Sequence, residues 1–385
     1  MKQEEDTVGI SAEDRQAMCE MLERLLVEHF DDTRMRQAIE SEEGFDRGLW
    51  TQMAELGLLG ILISEERGGI GGGLQEVEAF MEIAGKALFT SPYISSSVIA
   101  PTLLIGGASE EPVQNLLGEI AAGESIVVPT GFEVPLFTRN GFTGVGSDGN
   151  SGMLRSELDH GNWSINGEVE FAQYISSADK LLLVAEHAEK LHVYVCEPGA
   201  EGLSSRLLQS NDQTLRLSTL QFKNVAAQQL IEVNLDHLQV TLDAALAASA
   251  GEQAGASKEV FARTIDYLKT RFQFGRPIGS FQALKHMVAD LLVEVESMTS
   301  VARAAAEALA TDSKQKDSLI SLAAFTCKDG FRHVTAEAIQ LHGGIAYTLE
   351  HFAHLYWRRA QSCRWLYGAP NDSRERYLSD LEKLL

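Results

Sequence analysis

The sequence predicts a mainly α-helical protein with a central β domain: an N-terminal helical domain, an antiparallel β domain and a C-terminal four-helix bundle. Apolar residues recur at the spacing of one helix face in the first and last thirds of the chain. The segment between them alternates apolar and polar residues, and Gly, Asn, Asp and Ser separate the runs, as in strands and turns. The 385 residues fit two or three domains, which we place at 1–124, 125–233 and 234–385.

Composition limits the class of protein. Hydrophobic residues make up 44% and charged residues 23% of the chain, which is ordinary for a globular protein. The net charge of -23 argues against binding to nucleic acid or to an anionic membrane. We recognise no signal peptide and no membrane-spanning run, and therefore expect a cytoplasmic protein. The scattered cysteines predict neither disulfides nor a metal site: Cys19, Cys196, Cys327 and Cys363.

The first third contains one clear helix start and one glycine-rich stretch. Ser11 and Asp14 form a capping pair before a helix whose apolar face begins at Met18. The stretch "GGIGGG" at residues 68–73 precedes another helix, but Leu74 stands where a dinucleotide fingerprint has its third glycine. No βαβ series follows, so we interpret this stretch as a flexible connecting loop.

The middle third predicts strands and the last third predicts helices. Runs such as "KLLLVAE" and "LHVYVCEP" are typical of strands, and "SDGNSG" at residues 147–152 predicts an exposed loop. In the last third, one apolar stripe runs from Phe261 to Phe272 and a second from Phe281 to Val295. "VARAAAEALA" favours a further helix, and a fourth extends from about Asp317 to a Gly-Gly stop.

An arginine–glutamine corner, "RFQFGRPIGSFQ" at residues 271–282, lies between two of these helices. Glycine, proline and packed phenylalanines would explain it as a simple turn, but that leaves four polar residues without a role: Arg271, Gln273, Arg276 and Gln282. Arginine forks match phosphate oxygens, and glutamine pairs with both donors and acceptors on a nucleotide. A helix starting near Ser280 would add free N–H groups to an anion site. These features favour a diphosphate ligand.

A second glycine corner follows in "AEAIQLHGGIAYTLE". Gln340 lies one turn before Gly343 and Gly344, and a glycine pair lets a ligand approach the backbone closely. A helix cap followed by a turn is the alternative interpretation.

Together, "RFQFGRPIGSFQ" and "QLHGGIAYTLE" resemble the acyl-CoA dehydrogenase family of flavoproteins. "LGLLGILISEERGGIGGG" and "WSINGEVEFAQYISSADKLLLVA" resemble that family's N-terminal loop and β-domain signature, so the resemblance covers nearly the whole chain. It implies the same three-domain order and an FAD-dependent α,β-desaturation of an acyl-CoA, with electron-transfer flavoprotein as a candidate acceptor.

The resemblance also implies which residues bind the cofactor. Arg271, Gln273 and Phe274 would hold the adenosine diphosphate end of an FAD whose flavin sits in a neighbouring subunit, and Gln282 would support the same ligand. Contacts to the diphosphate region would come from the second corner: Gln340, Gly343 and Gly344. A monomer would then not be the working form.

The sequence departs from the family where the reaction needs a carboxylate to remove the α-proton. The usual Tyr-Glu-Gly-Thr position of the base falls on Tyr367, and the alternative position falls on Ala245. A phenol is a poor base at neutral pH and alanine is none. Phe171 and Gln173 stand where a Trp and a Thr or Ser flank the flavin ring, and Ala346 replaces the last glycine of the corner.

We therefore expect the base-lacking subunit of a heteromeric enzyme of the steroid side-chain type. It would be paired as α2β2 with a homologous catalytic chain and would supply that chain with the FAD-diphosphate clamp. Two alternatives remain. One is a homomeric dehydrogenase whose base has moved to Glu252, Asp243 or Glu350; the other is a catalytically silent scaffold of the same fold.

Overall fold

The computed structural model describes residues 10–107, 110–133, 137–138, 141–142 and 153–384. Its helices are α1 (Ala12–His29), α2 (Asp32–Glu40), α3 (Arg47–Glu55), α4 (Leu74–Lys86), α5 (Ala100–Leu104), α6 (Glu111–Ala121), α7 (Leu235–Thr270), α8 (Gln282–Ala310), α9 (Lys316–His342), α10 (Ala353–Cys363) and α11 (Pro370–Leu384). Its strands are β1 (Val127–Thr130), β2 (Phe137–Thr138), β3 (Gly141–Phe142), β4 (Leu154–Asp159), β5 (Asn162–Gln173), β6 (Lys180–His187), β7 (Lys190–Cys196), β8 (Leu203–Leu207), β9 (Leu217–Val233), β10 (Phe272–Gln273) and β11 (Arg276–Pro277). The predicted fold class, helical with a central β domain, is confirmed.

The N-terminal helical part begins at the predicted cap. The Ser11 side chain accepts a hydrogen bond from the Asp14 N–H at 3.1 Å, which satisfies one free donor of α1. The glycine-rich stretch connects two helices, as predicted, and folds tightly onto the turn before it. A Cβ at Gly69 would lie 2.0 Å from the Ile63 carbonyl oxygen, and the Gly71 N–H donates to the same oxygen at 2.8 Å. Close backbone approach is therefore what requires glycine here.

The β domain is a seven-stranded sheet of mostly antiparallel pairs. The pairs β6–β7, β7–β9, β9–β5 and β5–β4 are antiparallel, and β4 returns to β6 in parallel, so the sheet closes on itself. β1 also joins β6 in parallel, and β8 lies on the edge against β9. The predicted loop at residues 147–152 lies outside the described residues.

The helical C-terminal part is built around three long helices, α7, α8 and α9. The stretch "VARAAAEALA" continues α8 rather than forming a helix of its own, because nothing in its sequence breaks the helix at its start. α7 ends at Thr270, two residues before the predicted end of its apolar stripe, since Arg271 takes an extended conformation. Phe272 consequently lies in β10 and not on the helix.

Glycines bring α4 and α7 into backbone contact. A Cβ at Gly251 would lie 2.7 Å from the Glu78 carbonyl oxygen, and one at Gly255 would lie 1.8 Å from that of Glu82. On α4, a Cβ at Gly85 would lie 2.1 Å from the Glu252 carbonyl oxygen. The two helices therefore pack at a distance that only glycine permits, and this contact joins the N-terminal helices to the bundle.

A buried ion pair joins α7, α10 and the β domain. The Arg359 Nε and Nη2 atoms donate to Glu252 Oε1 at 2.8 and 2.5 Å, and its Nη1 donates to the Thr214 carbonyl oxygen at 3.2 Å. Both side chains of the pair are buried. A second pair links α7 to α11, where Arg376 donates to both carboxylate oxygens of Asp243.

The described part of the chain bears on disulfides, metal sites and membrane spans. All four cysteines are free. Within the described ranges, no group of three or more His, Cys, Asp or Glu side chains could hold a metal ion. No described helix is long and apolar enough to span a bilayer.

The glycine contact makes a prediction about stability. We expect Gly255→Ala to lower the free energy of unfolding by about 2 kcal/mol, because the new methyl group would overlap the Glu82 carbonyl and force α4 and α7 apart. Urea unfolding followed by circular dichroism measures this change. The matched control is Gly118→Ala in α6, where the nearest heavy atom lies 3.9 Å from the new Cβ. This variant should raise the free energy of unfolding by as much as about 0.8 kcal/mol. Equal effects at both sites would contradict the proposed contact.

The buried ion pair makes a second prediction. Arg359→Met should destabilise the protein by about 3 kcal/mol, because it leaves the Glu252 carboxylate buried without its partner. The double variant Glu252→Leu with Arg359→Met should recover much of this loss. Lys190→Met, which breaks an exposed pair with Glu232, serves as the control and should change stability by less than about 0.5 kcal/mol. Urea unfolding of the four proteins distinguishes these outcomes.

Candidate functional site

The arginine–glutamine corner is a short hairpin between α7 and α8. The Arg271 N–H donates to the Tyr267 carbonyl oxygen at 2.8 Å and ends α7. β10 and β11 then pair with Gln273 opposite Arg276. The two residues between them, Phe274 and Gly275, both have positive φ, of 54° and 78°. A two-residue hairpin turn requires this backbone, and for phenylalanine it is unusual.

The side chains of this corner point outward. Phe274 is 91% exposed, and Phe272 is also exposed, so these two phenylalanines do not pack as the simple-turn interpretation requires. Phe281 is partly buried and lies beneath the Arg276 guanidinium, 4.0 Å from ring centroid to Cζ. Arg271, Gln273 and Gln282 are exposed as well. The corner thus presents polar and aromatic groups on a surface of the single chain.

The second corner lies at the end of α9. Gly343 has a φ of 68° and a ψ of -146°, a backbone conformation that favours glycine. No heavy atom lies within 4 Å of the position of a Cβ at Gly343 or Gly344, so the space above this corner is open. Gln340, less than one turn earlier, is exposed. The corner therefore leaves its backbone accessible to a ligand.

The last turn of α7 contacts the end of α9. The Tyr267 ring stacks on His342 with a centroid distance of 4.5 Å, and its hydroxyl donates to the His342 carbonyl oxygen at 3.2 Å. Tyr267 also accepts the bond that ends α7 at Arg271. The residues just before the two corners are thus in contact with one another, as a shared binding surface on the bundle would require.

Tyr367, at the predicted base position, is closed to solvent. Tyr367 is 2% exposed and has a φ of 61°. Its hydroxyl accepts a hydrogen bond from Gln173 Nε2 at 2.9 Å, and its N–H donates to the Glu133 carbonyl oxygen at 2.8 Å. Burial raises the pKa of Tyr367 above its ordinary value. The side chain therefore fills the boundary between the β domain and the C-terminal helices, and a smaller fraction of it is ionised at neutral pH than of free tyrosine.

A buried lysine anchors the loop that carries Tyr367. Lys328, a buried residue of α9, donates through Nζ to the carbonyl oxygens of Leu366 at 2.8 Å and Gly368 at 2.5 Å. Burial lowers the pKa of Lys328 to about 8. Sequence reasoning did not identify this residue, because a lone lysine inside a helix gives no sign of what it contacts.

Ala245, at the alternative predicted base position, also offers no functional group. It is fully buried within α7, and Leu246, which follows it, is buried too. Phe171 and Gln173, which the sequence predicts beside the flavin ring, differ in exposure. Phe171 is exposed with a φ of 61°, whereas Gln173 is buried and bonded to Tyr367.

One buried carboxyl near this position was missed by sequence reasoning. Glu133 accepts hydrogen bonds from the Gly131 N–H and the Gln173 N–H, both at 3.1 Å. Burial raises the pKa of Glu133 to about 7. The only sequence signal was an acidic residue just after the apolar run "VVPTGF". The side chain is enclosed and its oxygens are held by backbone N–H groups, so it stabilises the turn after β1.

The three relocated-base candidates do not form a site. The Glu252 carboxylate is paired with Arg359, and the Asp243 carboxylate is paired with Arg376 and accepts from Gln239. Glu350 lies on the exposed loop before α10, where its carbonyl oxygen accepts from Arg36. The Arg376 pair occupies both oxygens of Asp243, and the Arg359 pair occupies Oε1 of Glu252. An arginine partner favours the ionised carboxylate and so opposes uptake of a proton.

Comparison with known proteins identifies the family. Residues 12–124 match the N-terminal domain of the acyl-CoA dehydrogenases, and residues 235–376 match the C-terminal domain. The chain is 30% identical to "Acyl-CoA dehydrogenase IpdE2" of Mycolicibacterium smegmatis, over 95% of this chain and 98% of that protein.

Solved structures share the fold. The ChsE4-ChsE5 complex from Mycobacterium tuberculosis has a chain with a TM-score of 0.86 and 23% identity, over 97% of this chain and 98% of that chain. A variant of the Tcur3481-Tcur3483 steroid ACAD has a TM-score of 0.83 and 24% identity, over 96% of this chain and 98% of that chain. Two matched domains that cover most of the sequence, and a relative aligned along almost its whole length, show that the chain belongs to the acyl-CoA dehydrogenase family.

Proposed function

We propose that this acyl-CoA dehydrogenase works as the base-lacking subunit of a heteromeric α2β2 enzyme. In this assembly a homologous chain supplies the catalytic carboxylate, and this chain supplies the clamp for the diphosphate end of FAD. The substrate is a CoA thioester of the steroid side-chain class, and electron-transfer flavoprotein is the acceptor. The assembly is cytoplasmic.

One observation carries this proposal: the base position holds a buried tyrosine bonded to Gln173, while the cofactor corner of the same chain faces outward. A neutral phenol with a raised pKa does not remove an α-proton at neutral pH. An exposed Arg271 and Gln273 beside an exposed Phe274 suit a ligand held partly by another chain. This chain thus has an exposed cofactor corner but no side chain that serves as the base.

Relatives support a two-chain enzyme. ChsE4-ChsE5 and Tcur3481-Tcur3483 are each named as pairs of chains, and the second is named as a steroid ACAD. Both have the fold of this chain over almost its whole length. These likenesses extend to fold alone, so the pairing and the steroid substrate are parts of the proposal.

The residues of the two corners fit an FAD diphosphate. Arg271 supplies a guanidinium fork for phosphate oxygens, Gln273, Gln282 and Gln340 supply amides, and Phe274 supplies an exposed ring. Gly343 and Gly344 leave the space that a diphosphate needs against the backbone. When bound, FAD accepts the β-hydride in this family. The contribution of this chain is to bind and orient the nucleotide end and, through Tyr367, to keep water out of its own crevice.

Turnover measurements test whether the partner chain supplies the catalytic base. The chain purified alone should oxidise acyl-CoA at least about 100-fold more slowly than the complex with its partner, because it lacks a general base. Dye-coupled assays of the chain, the partner and the complex measure this difference. Tyr367→Phe in this chain should leave the rate of the complex within about twofold, since the phenol takes no proton. Full turnover by the lone chain would contradict the proposal.

Flavin retention tests the clamp. Arg271→Met in the assembled complex should weaken FAD binding by about 10-fold to 100-fold, because a charged hydrogen bond to phosphate is lost. Flavin absorbance of the complex after gel filtration measures retention. Arg206→Met, at an exposed arginine of β8, makes the same charge change away from the corner and should retain flavin as the unmodified complex does. Equal retention by both variants would show that the corner does not hold FAD.

A further inference from the structure

A separate cavity lies between α1, α4 and α8, away from both corners. Its volume is about 440 Å³. Its lining includes three apolar residues, Ala79, Ile83 and Ala306, and the other lining residues are polar or charged. We call it the α1–α4–α8 cavity. No role described above uses it.

Glu78 is the distinctive group of this cavity. The residue is 4% exposed, and its carboxylate atom Oε1 has no hydrogen-bond partner among the described residues. Buried carboxyl oxygens are normally satisfied by a donor, because a buried polar atom without one is costly. Because Glu78 belongs to the cavity lining, this oxygen is a candidate acceptor for a donor from outside the chain.

The cations around Glu78 are already paired with other acids. Glu82 of α4 accepts from Lys258 of α7 at 2.7 Å and from Arg303 of α8 at 2.9 Å. Arg15 of α1 donates to Glu76 at 2.6 Å and to Gln75 at 2.7 Å.

At the other end of the cavity, Lys86 lies 3.7 Å from Glu23 of α1. The half-buried thiol of Cys19 is the remaining titratable group that faces Glu78 from α1, and its pKa is raised by burial and then by the Glu78 and Glu82 carboxylates. From α9, the buried Cys327 thiol also feels the Glu78 carboxylate, which together with burial raises the Cys327 pKa.

Among the described residues, no ion pair includes Glu78. The cavity lining has one carboxyl more than it has cations: Glu23, Glu78, Glu82 and Glu307 against Arg15, Lys86 and Arg303.

We propose that the α1–α4–α8 cavity binds a small organic cation, a primary ammonium on a short alkyl chain, with Glu78 as its counter-ion. An ammonium brings three N–H donors, one of which satisfies Oε1, and the methylene groups would contact the apolar lining residues Ala79, Ile83 and Ala306. A metal ion does not fit, because the described residues contain no group of three metal-binding side chains. The proposal is independent of the subunit role described above.

Proton and cation compete for the same carboxylate. Burial, with repulsion from Glu82 as the next cause, raises the pKa of Glu78 to about 7. The cation binds the ionised Glu78 carboxylate. Its binding therefore releases a proton at pH values below the Glu78 pKa, where the carboxyl is protonated, and releases none well above it. The ionised fraction rises from about 0.1 at pH 6 to about 0.9 at pH 8, and the affinity should therefore increase about tenfold across this range.

Isothermal titration of the purified full-length chain, alone and with its partner, tests the site. Butylammonium is the probe, and 1-butanol and butyrate are its uncharged and anionic controls. We expect saturable binding of butylammonium only, stronger at pH 8 than at pH 6. At pH 7 the measured heat should depend on the ionisation enthalpy of the buffer, because a proton is released. Binding of 1-butanol with equal affinity, or no saturable binding of butylammonium, would overturn the proposal.

Variants identify the counter-ion. Glu78→Gln should weaken butylammonium binding by about tenfold or more and remove its dependence on pH, because the charge-assisted bond is lost. The amide replaces a buried carboxyl, so its thermal midpoint should be unchanged or higher, which separates lost binding from lost folding. Glu201→Gln, the same change at an exposed residue far from the cavity lining, should bind as the unmodified chain does. Unchanged affinity in Glu78→Gln would assign the binding to another group and refute the site.

Discussion

The direct backbone contact between α4 and α7 is the constraint around which the other parts of the fold are arranged. Gly251 and Gly255 present no side chain to α4, so that helix lies against the backbone of α7. Glu252, between these glycines, extends its carboxylate to Arg359 of α10. Arg359 in turn reaches the Thr214 carbonyl of the β domain. A single segment of α7 therefore contacts α4 directly and is linked to the β domain through Arg359.

Local features of the fold followed from the sequence, and contacts between distant residues did not. The Ser11 cap and the helix break at the Gly-Pro corner after α7 depend on neighbours in the chain, so residue type and spacing predicted them, although not the β-hairpin that forms there. The bond between Gln173 and Tyr367 joins residues 194 positions apart, and no pattern predicts such a pairing. The domain boundaries at 124 and 233 and the cofactor residues remain predictions.

The exposed corner and the closed position of Tyr367 are built from different elements of the fold. The corner needs only a hairpin and a helix end, which the bundle provides without help from the β domain. Tyr367 instead lies where the β domain meets the C-terminal helices, and Gln173 bonds to it there. Under the proposed function, a chain without a base at Tyr367 can therefore keep the corner, since different elements support the two.

Lys328, which anchors the Tyr367 loop, determines how this loop responds to alkaline pH. A neutral amine keeps two N–H groups, and Lys328 Nζ has two carbonyl oxygens to serve, those of Leu366 and Gly368. Loss of its third proton near pH 8 removes a charge but removes no donor that these carbonyls use. The segment anchored by this amine accordingly keeps its conformation whether the nitrogen is charged or neutral.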